Sequence, residues 1–459
     1  MRPHTPFWRN PEPANTIGSE GALKRGSLAK IREGRQPRSP WETFMQNEVR
    51  QVARSAPDSK RQPEEELLIC CARTNADSET AARMRVLLNA DFDWRLFIEL
   101  AVRHGMLPLV YRQLKETEPN ILAESRAESL MSGFLAITVR NLRLTSELLQ
   151  ILETLRDQAI EAVPLKGPVL AESAFGAVCW RHFGDLDVLV RPRDVSKAKK
   201  LLESLGFHPE FILDKTQEAA YLRSEHAFHY IRAEDNLALE LHWRLLDRYL
   251  CFSLDNDEFW QSLATQKLAG QSILSLSPEY LFVYLCVHGA KHYWERLEWI
   301  CCLPAVIHAY PQMQWPKIID IASDRGGMRM LQLGLLLAHE LDGTVKTQRP
   351  LNLMKKDPIA MALADAVWKN LFASRLQSPE SEIYRFRFYL KARERLWDRL
   401  HIVRRTTIRI PHPDSAVLHR VRLPSWLLLL HLFIGPVRRL RKYGLHGLRG
   451  LVNPARISL

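Results

Sequence analysis

No stretch of the 459-residue chain is apolar for long enough to cross a bilayer. The longest apolar run, Trp426 to Ile434, is interrupted by His431 and stopped by Gly435 and Pro436, well short of the roughly 20 residues a span needs. The N-terminus has no continuous apolar segment ahead of a small-residue cleavage site, so no secretory signal is expected. Seven cysteines are present and none stands in a C-x-x-C pair, which excludes zinc ribbons and the disulfide framework of a small secreted domain. A reducing, cytoplasmic setting is the expectation. H-E-x-x-H is also missing: His288 and His292 stand four apart with Lys291 between them, but packed or phosphate-facing histidines fit that pair better than a zinc site. No internal repeat is present.

Charge of one sign is unevenly supplied. The formal net charge is +12, yet residues 1–62 hold 12 Lys/Arg against 6 Asp/Glu and residues 401–459 hold 11 against 1, leaving a mildly acidic middle. The surplus sits on the ends, so the tails are the parts expected to touch an anionic surface, membrane or nucleic acid. Residues 1–62, rich in Pro, Arg, Ser and Gly and without periodicity, are expected to be a disordered basic tail, because such a composition cannot offset its ordering entropy by burial. Residues 406–459 form a basic, amphipathic tail in which Trp426 to Ile434 precedes Arg438-Arg-Leu-Arg-Lys442. Packing on the core and peripheral contact with an anionic membrane surface are both open for that segment.

Between the tails the periodicity changes twice. Residues 63–155 show helical apolar spacing, as in Trp94 to Arg103 and Leu142 to Leu155. Residues 156–275 alternate short β-type runs with helices: Ala162-Val-Pro-Leu165, Asp187-Val-Leu-Val190, Ala227-Phe-His-Tyr-Ile231 and Leu237-Ala-Leu-Glu-Leu-His-Trp243. Helices return over residues 276–405. The expected class is α+β, a small mixed sheet flanked by helical regions.

Three Asp-x-Asp triplets occur, so the triplet alone selects nothing. Asp91-Phe-Asp93 opens a helical pattern and Asp255-Asn-Asp257 lies in a polar stretch, where carboxylates suit helix starts. In Arg181-His-Phe-Gly-Asp185-Leu-Asp187-Val-Leu-Val190, by contrast, two carboxylates enter an otherwise apolar strand. Residues i and i+2 of a strand share a face about 6–7 Å apart. Like charges facing one space repel, and a divalent cation is the usual reason to keep them. Upstream, Val163-Pro-Leu-Lys166-Gly167-Pro168 reads as a strand turning at a glycine into a helix; such a turn suits an anion, although most Lys-Gly turns do no more than connect. Downstream, Leu237 to Trp243 alternates so that Glu240 and His242 share one face. If that strand neighbours the aspartate strand, Glu240 completes a carboxylate cluster able to hold divalent ions for phosphoryl transfer.

Taken in order, Leu165-Lys-Gly167, Phe183-Gly-Asp185-Leu-Asp187-Val-Leu-Val190 and Leu239-Glu-Leu-His-Trp243-Arg resemble the uncharacterised bacterial nucleotidyltransferases of the polymerase-β-like superfamily. Asp93-Trp94, Ala101-Val-Arg-His-Gly105, Lys291-His292 and Leu335-Leu-Leu-Ala338 extend the resemblance to roughly residues 65–400. It implies a nucleotidyltransferase core, with Asp185, Asp187 and Glu240 as catalytic metal ligands for Mg²⁺ or Mn²⁺. Lys166, Gly167, Arg181, His182 and His242 are then the expected nucleotide contacts. The implied reaction is attack of a hydroxyl on the α-phosphate of a nucleoside triphosphate, with release of pyrophosphate; the acceptor is a protein, sugar, small molecule or RNA. The phosphate turn is Lys166-Gly167-Pro168 where the superfamily usually has Gly followed by Ser or Gly. Three other classes stay open: an inactive nucleotidyltransferase-fold scaffold, an Asp-x-Asp glycosyltransferase, disfavoured because the region before the triplet is helical, and a nucleic-acid-binding protein in which the basic tails dominate function.

Overall fold

In the computed structural model, the described residues are 61–73, 77–123, 127–246, 256–343, 357–373 and 380–407. The basic tails lie outside them, apart from residues 61–62 and 406–407, and so do the C-terminal apolar run and Asp255.

Helices open the described chain because polar caps precede apolar periodic stretches. They are α1 (Pro63–Cys71), α2 (Ser78–Leu88), α3 (Trp94–Arg103), α4 (Leu107–Thr117) and the 30-residue α5 (Glu128–Asp157). Asp93 caps α3 by accepting the Arg95 and Leu96 N–H groups, the work a carboxylate does at a helix start. Along α5, Leu144, Leu148, Ile151 and Leu155 are buried at helical spacing, and this stripe packs on the sheet.

The central region follows as β1 (Ala162–Pro164), α6 (Pro168–Phe175), β2 (Leu186–Val190), α7 (Val195–Ser204), β3 (His208–Pro209), α8 (Lys215–Ser224), β4 (Ala227–Arg232), β5 (Leu237–His242) and α9 (Asp257–Gln261). A hairpin of β6 (Ala264–Leu268) and β7 (Gln271–Ser275) stands apart as a two-stranded sheet. The main sheet has the order β1-β2-β5-β4-β3. It is mixed: β2 and β5 are parallel, while β1–β2, β4–β5 and β3–β4 are antiparallel. Alternation sorts its side chains. Leu186, Val188, Val190, Phe228, Tyr230, Leu237, Leu239 and Leu241 face one core. Asp187, His229, Glu240 and His242, at the alternate positions, fall on the other face. Burying each of those apolar side chains contributes about 1.5–3 kcal/mol. Turning all of them to the wrong face by a one-residue slip would therefore cost on the order of 12–24 kcal/mol, comparable to or above the about 5–15 kcal/mol that holds a domain together.

The chain then returns to helices: α10 (Pro278–Lys291), α11 (Leu297–Ala309), α12 (Trp315–Asp324), α13 (Met328–Asp342), α14 (Pro358–Asn370), α15 (Glu380–Ala392) and α16 (Leu396–Thr407). Leu67, Phe97 and Val110 from the first helices share one core with Val287, Ile300, Leu333 and Leu363 from the last. The two helical regions are therefore a single body, joined across the sequence of the central region. His104 and Gly105, after α3, make this join. The Leu297 N–H donates to His104 Nδ1 at 3.3 Å and the Glu298 N–H to the His104 carbonyl at 3.2 Å. Gly105 has φ +68°, and a β-carbon there would land on the Glu298 carboxylate. None of the helices described is long and apolar enough to cross a membrane.

Candidate active site

Three carbonyls ahead of β2 are held by α5. Asn141 Nδ2 donates to the Val178 and Arg181 carbonyls, both at 2.7 Å, and Arg140 donates to the Gly184 carbonyl at 2.9 Å. The loop thus delivers Asp185 immediately before β2 and Asp187 within it. The parallel register of β2 and β5 sets Asp187 opposite Glu240 and Leu189 opposite His242, while β4 sets His229 opposite Glu240. Side chains at paired positions point to the same face, so Asp187, Glu240, His242 and His229 converge.

His242 Nε2 lies 3.3 Å from Asp187 Oδ1 and 3.1 Å from Glu240 Oε2. Its other ring nitrogen, Nδ1, is 3.4 Å from the Arg244 carbonyl, and the Arg244 guanidinium is tied to the Leu222 and Glu225 carbonyls at 3.1 and 3.0 Å. His229 Nδ1 is 3.2 Å from Glu240 Oε1. Lys166 Nζ is 3.1 Å from Asp187 Oδ2, a contact of opposite charges rather than an aligned hydrogen bond, because Oδ2 is buried and accepts none. Asp187, Glu240 and His242 each offer one ligand atom, all within 4.8 Å of one another. A buried carboxylate oxygen with no hydrogen bond, beside a second carboxylate and an imidazole oriented through its far nitrogen, is a donor set that fits a divalent cation.

Electrostatics mark the same place. Asp187 next door, then burial, pushes the Asp185 carboxyl up. Burial also opposes the Asp187 charge, but the Lys166 ammonium and the His242 hydrogen bond outweigh it and hold Asp187 low. Glu240 is held low in the same way, its burial outweighed by His229 and His242. Burial works against a charged His242, yet Asp187 and Glu240 lift it to about 9. Burial also opposes the Lys166 charge, and Asp187 and Asp185 overcome it, so Lys166 is held above the ordinary lysine range. Neighbouring carboxyls held on opposite sides of their ordinary values are the pattern of a functional site.

The residues expected from the sequence are not all in this cluster. Asp187, Glu240 and His242 converge; Asp185 is outside the trio of ligand atoms but bears on it through its charge. Lys166 is engaged with Asp187. Gly167, at φ +61°, lets the chain turn from β1 into α6, a conformation costly for a residue with a β-carbon. Arg181 is buried with Nε 3.4 Å from Cys302 Sγ. His182 is pushed down to about 4 by burial, against the nearby Glu298. Neither Arg181 nor His182 is among the three converging ligand residues. Residues not anticipated are His229, His226, Tyr284 and Lys291. Tyr284 and His288 from α10, with His292 just after it, feel the charge of Lys166, and Lys291 at the helix end reaches His226 beside the sheet. A signal for them existed: His229 alternates with Phe228 and Tyr230, and Tyr284, His288 and His292 recur every four residues.

The family described as uncharacterised nucleotidyltransferase matches residues 90–343, more than half of the chain. This protein belongs to that family and is a transferase with a nucleotidyltransferase core. Among solved structures, the antibiotic-resistance factor ANT(2'')-Ia is similar over 40% of this chain and 91% of its own, with 13% identity and a TM-score of 0.29. No curated protein matches the chain.

Proposed function

We propose that the chain transfers a nucleoside monophosphate from a nucleoside triphosphate to a hydroxyl acceptor and releases pyrophosphate. The observation that carries this reading is the convergence of Asp187, Glu240 and His242 on one sheet face, with a ligand atom from each within 4.8 Å of the others. Asp187, Glu240 and His242 would hold the cation, Mg²⁺ or Mn²⁺, with Asp185 alongside, and the cation would take the place of the proton on His242 Nε2. When bound, the cation supplies neutralisation of the transferring phosphoryl group and a lower pKa for the attacking hydroxyl. The chain's own residues do the positioning. Arg244 holds the ring of His242, β2–β5 pairing holds the two carboxylates at one level, and Lys166 keeps the cluster from repelling itself. Residues 156–275 would form the catalytic core, with residues of the helical region 276–405 completing the site.

A second reading, an inactive scaffold, draws on one observation. Lys166 and His242 already balance the carboxylates without a cation. Label transfer from the four α-³²P nucleoside triphosphates, with Mg²⁺ or Mn²⁺ and a crude lysate, separates the two. Metal-dependent labelling lost in Asp185→Ala/Asp187→Ala is the expected result. No labelling, together with no metal-dependent triphosphate binding, leaves the scaffold.

A further inference from the structure

A transferred nucleotide brings a triphosphate, and Lys166 and Arg181, the two basic residues expected to meet it, are already engaged. Lys166 sits on Asp187 at 3.1 Å. Arg181 is buried against Cys302 at 3.4 Å. Lys291, the last residue of α10, is placed differently. Its ammonium is 3.4 Å from His226 Nε2, and it has no carboxylate partner among the described residues. The His226 ring in turn meets the His242 ring at 5.4 Å, edge to face, so one imidazole separates Lys291 from the carboxylate cluster.

The chemistry of this pair is one-sided. An ammonium has protons to give and no lone pair, so His226 Nε2 must accept and the ring's proton sits on Nδ1. That Nδ1 is buried with no acceptor among the described residues. The carbonyl of Lys291, which at a helix end would repel an anion, accepts the hydroxyl of Tyr389. An unpaired ammonium held in place by a neutral imidazole, beside a buried donor without an acceptor, asks for an anionic oxygen.

Building on the function proposed above, we infer that Lys291, positioned by His226, binds the diphosphate tail of the nucleotide, the part that leaves as pyrophosphate. Lys291 is the binding residue and His226 a positioning residue. Neither touches the transferred phosphoryl group.

Calorimetric titration of the Mn²⁺-loaded full chain with inorganic pyrophosphate, then with each nucleoside triphosphate and monophosphate, tests this without knowing the base. One charge-assisted contact is worth about 10- to 100-fold. Lys291→Gln should weaken pyrophosphate and triphosphate binding by that factor and leave monophosphate binding unchanged, and Lys291→Arg should restore most of the loss. Unchanged pyrophosphate binding in a folded Lys291→Gln overturns the inference. So does a variant in which only the acceptor KM rises, which would give Lys291 to a phosphorylated acceptor instead. If the unmodified chain binds triphosphate and the variant is unaffected, the inference alone falls; if the unmodified chain binds neither pyrophosphate nor triphosphate, the proposed function falls with it.

Discussion

Two buried charged clusters sit in this molecule, and they are built to opposite rules. Around Arg329, at the start of α13, the guanidinium meets a carboxylate and two carbonyls. Its Nε donates to Asp357 at 2.6 Å, and one terminal nitrogen donates to the Lys391 and Arg393 carbonyls, both at 2.8 Å. Asp357 also caps α14, and Glu394 accepts the Met328 and Arg329 N–H groups. This is a joint between helices. Around Asp187 the charges crowd: Asp185 is raised by its neighbour, Glu240 stands level with Asp187, and Lys166 and His242 are drawn in to compensate. Opposite charges paired across helices hold a fold together, while carboxylates crowded on one sheet face mark where chemistry is placed.

The largest way to test this contrast is Arg329→Met. It strands Asp357 and two buried carbonyls, and should cost about 3–5 kcal/mol, read as a fall in the urea midpoint, with Mn²⁺ affinity at the sheet unchanged. Asp187→Asn should do the reverse. The fold persists, Mn²⁺ binding is lost, and transfer falls by on the order of 10²- to 10³-fold or more. A third test uses His104, which accepts from Leu297 and is therefore neutral, its pKa pushed down to about 3 by burial. The unfolded chain binds a proton there near pH 6.5 and the folded chain does not. Stability is therefore intact above pH 6.5 and is lost as the pH falls toward 3. His104→Gln should flatten the decline between pH 6 and 4 by about 1.4 kcal/mol per pH unit, measured by urea unfolding at stepped pH.

Two smaller effects separate the Asp-x-Asp triplets. Asp93→Ala removes a helix cap and should cost about 1 kcal/mol with transfer intact; a loss of transfer would place the first triplet in the site. Asp185→Asn should slightly raise the melting temperature, because it relieves the repulsion from Asp187, while lowering transfer. A fall in melting temperature would mean that Asp185 is paired rather than crowded.

Much of the architecture is legible in the order of residues. The change from helical spacing to alternation and back marks the small sheet and its helical flanks, and the Leu239-Glu-Leu-His alternation places Glu240 and His242 on one face. Less legible is which cations answer which carboxylates. Lys166 reads as a phosphate contact but pairs with Asp187, and Arg181 turns toward Cys302, choices set by residues more than 100 positions away in the second case. His226 and Lys291 lie 65 residues apart and share no local pattern.

Local periodicity alone determined which segments are strands or helices and which face of each is polar, because those depend on repeats of about 2 and 3.6 residues within one segment. Only the tertiary structure decided that β5 lies parallel to β2 with Glu240 level with Asp187, that the end of α10 reaches His226 beside that face, and that the first and last helices share a core. The reason is physical: register and packing are settled by the burial of side chains distant in sequence, and no local pattern contains the partner.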